Sequence, residues 1–207
     1  TINLSVTFKS NDLNSLQELF NKYPGQIACV ITEPERSVDT DVDIKVFLEK
    51  AIDLAHKNGA LFIIDEMITG FKTDFPGSIK KYNIKPDMVS WGKGIANGFS
   101  FCALTGIKEV MELGGIRNKG KEKVFLISTT HGGETHSIAA GLATIHEFET
   151  KNVIEHNQQL GKYFVEKVTD VIAAKKLNEI VSVYKSNWMP ILSFKDTKGE
   201  VCNGMRT

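Results

Sequence analysis

Three short apolar runs constrain this chain most: Ile27-Ala28-Cys29-Val30-Ile31, Leu61-Phe62-Ile63-Ile64 and Met88-Val89-Ser90-Trp91. None shows the strict polar alternation of a strand with one wet face, so each is expected to be a strand buried on both faces of a parallel sheet. The segments between them carry a helical period instead. Asp12 is placed to cap a helix with Leu13, Leu16, Leu19 and Phe20 on its apolar face, ended by Pro24-Gly25. A second helix is expected from Asp43 to Lys57, with Val46, Phe47, Ala51, Leu54 and Ala55 inward and Asn58-Gly59 as its stop. Ile2 to Phe8, Phe101 to Leu104 and Val124 to Ile127 read as further strands. Strands alternating with helices imply an α/β layered domain, in which ligands sit beyond the carboxyl ends of the strands. Asp65 and Lys93 both occupy such ends.

From Thr135 to Lys175 the pattern is helical, first through Ile138, Ala139, Leu142, Ala143, Ile145 and Phe148, then through Val153, Ile154, Leu160, Phe164, Val168 and Ile172. Ile180 to Tyr184 and Ile191 to Phe194 read as strands, with a hairpin turn over Lys195 to Gly199. The expected organisation is a large domain over residues 1–150 and the start of a smaller α+β domain over 151–207. At about 150 residues per domain, a chain of 207 has room for one core and part of another. The chain starts at Thr1 and stops at Thr207 directly after Met205-Arg206, which suggests a segment of a longer protein.

Charge excludes some functions. With 25 Lys+Arg against 25 Asp+Glu, no general field draws the chain to nucleic acid or anionic lipid. No apolar run approaches the roughly 20 residues that cross a bilayer. Cys29, Cys102 and Cys202 are scattered and odd in number, which suits free buried thiols in a reducing, cytoplasmic setting.

The strongest chemical signal is Asp65 at the end of one apolar run and Lys93 in a Gly-Lys-Gly turn after another, 28 residues apart. One crossover and its strand fill about that length, so two neighbouring strands could present both side chains to one crevice. A desolvated lysine becomes a nucleophile toward carbonyls, flanking glycines let a flat ligand approach, and a nearby carboxylate can hold a ring nitrogen protonated. Those are the anchors a pyridoxal phosphate site needs. By spacing alone, two solvated strand-end charges are the commoner case.

Other motifs are weaker. His131-Gly132-Gly133-Glu134-Thr135-His136 lacks the spacing of helical zinc motifs, and no metal site is expected. Gly92-x-Gly94-x-x-x-Gly98 does not fit a dinucleotide fingerprint. His56, His146 and His156 fall on expected helices as solvated or interface residues, and Glu33 and Glu66 suit capping or structural hydrogen bonds as well as a site.

Gly59-Ala60-Leu61-Phe62-Ile63-Ile64-Asp65-Glu66-Met67-Ile68-Thr69-Gly70-Phe71, followed by Lys85-Pro86-Asp87-Met88-Val89-Ser90-Trp91-Gly92-Lys93-Gly94-Ile95-Ala96-Asn97-Gly98, resembles the signature of class III (subgroup II) aminotransferases. Within them it is most similar to the glutamate-1-semialdehyde 2,1-aminomutase-like branch. The likeness extends to Ala28 through Pro34 and to Phe125 through Thr130. It implies a fold-type I transferase with a three-layer α/β/α large domain and a truncated α+β C-terminal domain. It also implies amino-group transfer dependent on pyridoxal 5'-phosphate, by transamination or as an aminomutase (an isomerase). Lys93 would then form the Schiff base and shuttle a proton, and Asp65 would pair with the pyridinium nitrogen. Met67 would pack under the ring, and Thr130 would reach the cofactor phosphate of the partner subunit. A shared site implies a homodimer whose substrates are a small amino donor and a carbonyl acceptor.

The sequence departs from that pattern at Ile95-Ala96-Asn97, at Ser100, at Gly133-Glu134-Thr135 and at Lys72, where arginine is usual. The phosphate-cradling loop and the aromatic residue that stacks on the ring belong to the upstream part of such proteins. A substrate-carboxylate clamp within the chain must come from Arg36, Arg117 or Arg206, and the segment alone is expected to be inactive. A decarboxylase or racemase on the same anchors, or a catalytically silent oligomerisation protein, are the alternatives.

Overall fold

A computed structural model of the chain describes residues 4–35, 41–114, 132–184, 186–196 and 198–202. Two compact units divide them, one holding residues through Glu35 and Val42–Glu149, the other running from Thr150 onward.

In the first unit, capping fixes the helix starts. Asp12 accepts from the Ser15 N–H to open α1 (Leu13–Lys22), and Asp43 accepts from the Val46 N–H to open α2 (Ile44–Lys57). Each carboxylate satisfies an amide for which the first helical turn has no partner. Gly59, at φ +72°, takes the left-handed geometry that releases the chain from α2. Phe47, Leu48, Ala51, Ile52 and Ala55 form the buried stripe of α2, which packs on α1 and on the sheet.

That sheet has the order β1 (Cys29–Thr32), β2 (Leu61–Asp65), β3 (Met88–Trp91), β4 (Ala103–Gly106). The first three strands are parallel and β4 is antiparallel to β3. The expected neighbours β2 and β3 do pair, with Asp65 opposite Ser90. The connection between them carries a single-turn helix, α3 (Ser78–Lys81), and is otherwise loop. A further short helix, α4 (Lys108–Met111), follows β4.

Several sequence expectations are corrected. The strands alternate: Val30, Phe62, Ile64, Val89 and Trp91 are buried, whereas Ile31 is 55% exposed, and Cys29 and Cys102, expected as buried thiols, are exposed, Cys29 because it falls on the outer face of β1. One face of the sheet carries the core, and the described residues leave the other face of β1 uncovered. Leu4 to Phe8 forms no strand, because no described strand offers it a ladder; Leu4 is 88% exposed. The strand expected at Phe101 to Leu104 lies two residues later, its register held by the Trp91 Nε1–H donating to Thr105 Oγ1 at 2.8 Å. The strand expected at Val124 to Ile127 lies outside the described residues.

In α5 (Thr135–Thr150) the buried positions are Ser137 and Gly141, while Leu142 is largely exposed. The absence of a side chain at Gly141 lets the Phe101 ring close in, to 3.1 Å from where a Cβ would stand. Ile145 and Phe148 continue the inner face, and Phe148 meets Phe71 and Phe75.

The second unit comprises α6 (Val153–Ala174) and the antiparallel pair β5 (Val181–Tyr184) and β6 (Ile191–Phe194). Gly161, Val165 and Ile172 face inward and Leu160 and Phe164 do not, because Gly161 admits the Asn187 carbonyl against the helix backbone. Asp196 closes the turn after β6, its Oδ1 accepting from the Lys198 and Glu200 amides. Among the described residues no helix is long and apolar enough to cross a membrane.

Candidate active site

Alternation along β2 sends Phe62 and Ile64 into the core and therefore turns Asp65 to the opposite face, at the carboxyl end of the strand. Ser90, its register partner on β3, donates its hydroxyl to Asp65 Oδ1 at 3.0 Å. The Met67 N–H donates to the same oxygen at 3.0 Å. Two donors on one oxygen fix the carboxylate and leave Oδ2 without a partner among the described residues.

β3 runs through Gly92 into Lys93, which starts a 3-10 turn to Ala96. Lys93 has φ +49°, so the chain turns sharply there and the side chain stands exposed. Among the described residues no carboxylate lies within ion-pair distance of it. The Met67 side chain reaches across to β3: a methyl group on Gly92 would stand 2.6 Å from Met67 Sδ and closer still to Cε. At Gly94 an added methyl would meet nothing within 4 Å. The two strand ends thus present a carboxylate with one free oxygen, a thioether lying over a glycine, and an open amine.

Lys72 is a further cation here. Burial first, and then the charge of Lys93, hold its ammonium below the ordinary lysine range. The excursion from Glu66 to Ser78 that carries Lys72 is built around Glu66, 1% exposed. Glu66 Oε2 accepts from Thr69 Oγ1 at 2.5 Å, and Oε1 accepts from the Ser78 amide at 2.5 Å and from the Ser78 hydroxyl. Desolvation dominates those hydrogen bonds and raises the Glu66 carboxyl pKa.

Of the residues singled out in the sequence, Asp65, Met67 and Lys93 are brought to neighbouring strand ends. Thr130, Arg36, Arg117, Arg206 and His131 lie outside the described residues. His56 is taken up at the other end of β3, where its Nε2 lies 2.8 Å from Asp87 Oδ2. Sequence reasoning missed Ser90 as the support of Asp65, although its place on the wet face of the next strand is legible once the register is known. Glu66 was legible as a structural acceptor but not as the centre of a loop, because Ser78 is twelve residues away.

The family model for class-III aminotransferases matches residues 3–196. The chain belongs to the class-III aminotransferase family. Among its relatives, a glutamate-1-semialdehyde 2,1-aminomutase from Thermosipho africanus (strain TCF52B) is 35% identical over 201 residues, covering 95% of this chain and 44% of that protein. A protein of the same name from Clostridium beijerinckii (strain ATCC 51743 / NCIMB 8052) is 32% identical, covering 91% and 42%. Among solved structures, the FumI protein of Sphingopyxis sp. MTA144, in its PLP internal aldimine form, superposes with a TM-score of 0.75 at 22% identity, covering 92% of this chain and 44% of that one. That likeness is one of fold: an α/β fragment of the fold-type I architecture. The chain spans less than half the length of these relatives.

Proposed function

We propose that the whole protein is a pyridoxal-phosphate-dependent enzyme that moves an amino group between an amino donor and a carbonyl compound, or within one substrate as an aminomutase. The observation that carries this reading is that Asp65 and Lys93 stand at the carboxyl ends of two adjacent parallel strands, with Met67 lying over Gly92. The donor set fits the cofactor: among the described residues nothing donates to Asp65 Oδ2, which can accept a ring N–H, no carboxylate lies within ion-pair distance of Lys93 Nζ, and Met67 supplies an apolar surface. Bound there, pyridoxal phosphate would supply an electron sink for a carbanion at the substrate Cα.

In this reading the chain's own residues divide the work. Asp65, held by Ser90 and the Met67 amide, would hold the ring nitrogen protonated. Met67 would shield one face of the ring from water. Lys93 Nζ would be the amine that holds the cofactor aldehyde and that moves a proton at the reacting carbon. Thr130 is proposed to contact the cofactor phosphate of a partner subunit in a cytoplasmic homodimer. Residues 1–150 are proposed as part of the cofactor domain and 151–207 as the start of the small domain.

The test is to add pyridoxal phosphate to the whole protein, reduce with borohydride and map the modified residue by mass spectrometry. A visible absorption band that disappears on reduction, with the adduct on Lys93, is expected. No band, or an adduct on another lysine, overturns the assignment. An aminomutase converts its substrate with no added amino donor, whereas a transaminase requires one.

A further inference from the structure

Asp65 and Met67 both face the site, and the residue between them does not. Glu66 is the middle of the turn closed by the Met67 amide on Asp65 Oδ1, and its side chain runs the opposite way, into the protein. Its own amide continues the sheet by donating to the Ser90 carbonyl at 2.9 Å. Its carbonyl accepts from Gly70 at 3.0 Å, and its carboxyl takes Thr69 and both donors of Ser78. One residue therefore ties the end of β2 to β3, to the Thr69-Gly70 turn and to the start of α3.

The space around it is filled. A methyl on Gly77 would lie 2.6 Å from Glu66 Oε1, and one on Gly70 would lie 2.8 Å from the Glu66 carbonyl oxygen. Burying a carboxyl costs free energy that an apolar residue would not, so packing alone does not account for one at this position. What the carboxyl adds is direction: its acceptors define where Ser78 and Thr69 stand, and hence how the backbone of residues 65–67 is rotated.

We propose that Glu66 is a positioning residue for the Lys93 site, its buried carboxyl closing the Glu66–Ser78 excursion and thereby fixing Met67 over Gly92 and Asp65 against Ser90. The cofactor-facing part of this inference rests on the function proposed above; the placement of Met67 does not.

The test compares Glu66→Gln, Glu66→Ala and Leu16→Ala in the whole protein. Glutamine can still accept from the Ser78 amide and donate to Thr69 Oγ1, whereas alanine leaves those groups unpaired. Leu16→Ala removes a core side chain of α1 and serves as a control for lost stability alone. The first readout is the Met67 methyl resonance, in protein labelled at methionine methyls and held without cofactor at a temperature where circular dichroism shows every variant folded. Glu66→Ala is expected to shift it, and Glu66→Gln and Leu16→Ala to leave it near its wild-type position.

The second readout is pyridoxal phosphate affinity, expected to fall about tenfold in Glu66→Ala, as for the loss of one buried hydrogen bond's worth of positioning, and to stay within about twofold in the other two. If Glu66→Ala does not fold, Ser78→Ala and Thr69→Val carry both readouts at smaller amplitude. An unmoved Met67 resonance in folded Glu66→Ala, or in Ser78→Ala and Thr69→Val where Glu66→Ala does not fold, overturns the proposal, as does an equal shift in Leu16→Ala. If wild type binds no cofactor, the function proposed above fails, while the Met67 resonance still decides the role of Glu66.

Discussion

Adding the same methyl group at two glycines should separate the stability of this unit from the shape of its site. Gly92 and Gly77 both have extended backbones, so alanine is not strained by φ at either position. Alanine also restricts the unfolded chain equally in both, which cancels in the comparison. At Gly92 the new methyl meets the far end of Met67, about 1 Å inside ordinary contact distance. Met67 has three rotatable bonds and its thioether end moves at the cost of a strained rotamer, about 1 kcal/mol. At Gly77 the new methyl meets all three atoms of the Glu66 carboxyl group, at 2.6, 2.7 and 2.9 Å. That group cannot swing aside without giving up its Thr69 and Ser78 partners, so overpacking and lost hydrogen bonds add to roughly 3 kcal/mol.

Urea unfolding of Gly92→Ala and Gly77→Ala should therefore differ by about 2 kcal/mol, with Gly77→Ala the weaker. The order of site effects is expected to reverse when each variant is measured well below its melting temperature. Gly92→Ala, which folds well, should displace the Met67 methyl resonance and weaken cofactor binding. Equal destabilisation by the two substitutions would refute the argument, since it would mean that Met67 is as firmly held as Glu66. A Met67 resonance unmoved by Gly92→Ala would refute it from the other side.

At the other end of the strands, Asp87 Oδ2 accepts from the Phe62 amide at 2.6 Å and lies 2.8 Å from His56 Nε2. Asp87→Ala leaves a buried amide unpaired and should cost about 2 kcal/mol in urea unfolding. His56→Ala, whose ring is 45% exposed, should cost less than about 1 kcal/mol. For Glu66 the pH dependence has a definite sign. Burial raises its pKa in the folded state above the ordinary 4.5, so the folded protein holds that proton more tightly than the unfolded chain does. Its stabilising contribution is complete below pH 4.5 and is lost as pH rises through the raised value. Urea midpoints of Glu66→Gln should gain on wild type as pH rises from 4; a constant difference would contradict the raised pKa.

What the sequence disclosed and what it concealed follow from the range of the interactions involved. Asp12 and Asp43 cap helices through residues three positions away, and such local chemistry is visible in a window of four residues. The meeting of β2 and β3 was legible because a parallel pair needs one crossover, and 28 residues hold about one. The inner faces of α5 and α6 were not. Hydrophobicity marks Leu142, Leu160 and Phe164 as core, yet the helices turn Gly141 and Gly161 inward, where Phe101 and the Asn187 carbonyl approach. A glycine that is buried because another group needs its space carries no apolar signal, and its partner lies 40 residues upstream in one case and 26 downstream in the other.

The same reasoning separates the two carboxylates at the end of β2. Strand period alone assigns Asp65 to the wet face and Glu66 to the inside, and the chemistry follows from that geometry. A residue on the wet face at a strand end keeps an oxygen free for a ligand, while its neighbour must satisfy every acceptor internally or be excluded. Glu66 does so by recruiting Ser78 across a loop of eleven residues, which makes the loop's position depend on the carboxyl. The Asp-Glu pair thus joins a ligand-facing acceptor to an internal clamp through a single peptide bond. A change in the clamp is transmitted to the acceptor by backbone rotation, with no side-chain contact needed between the two.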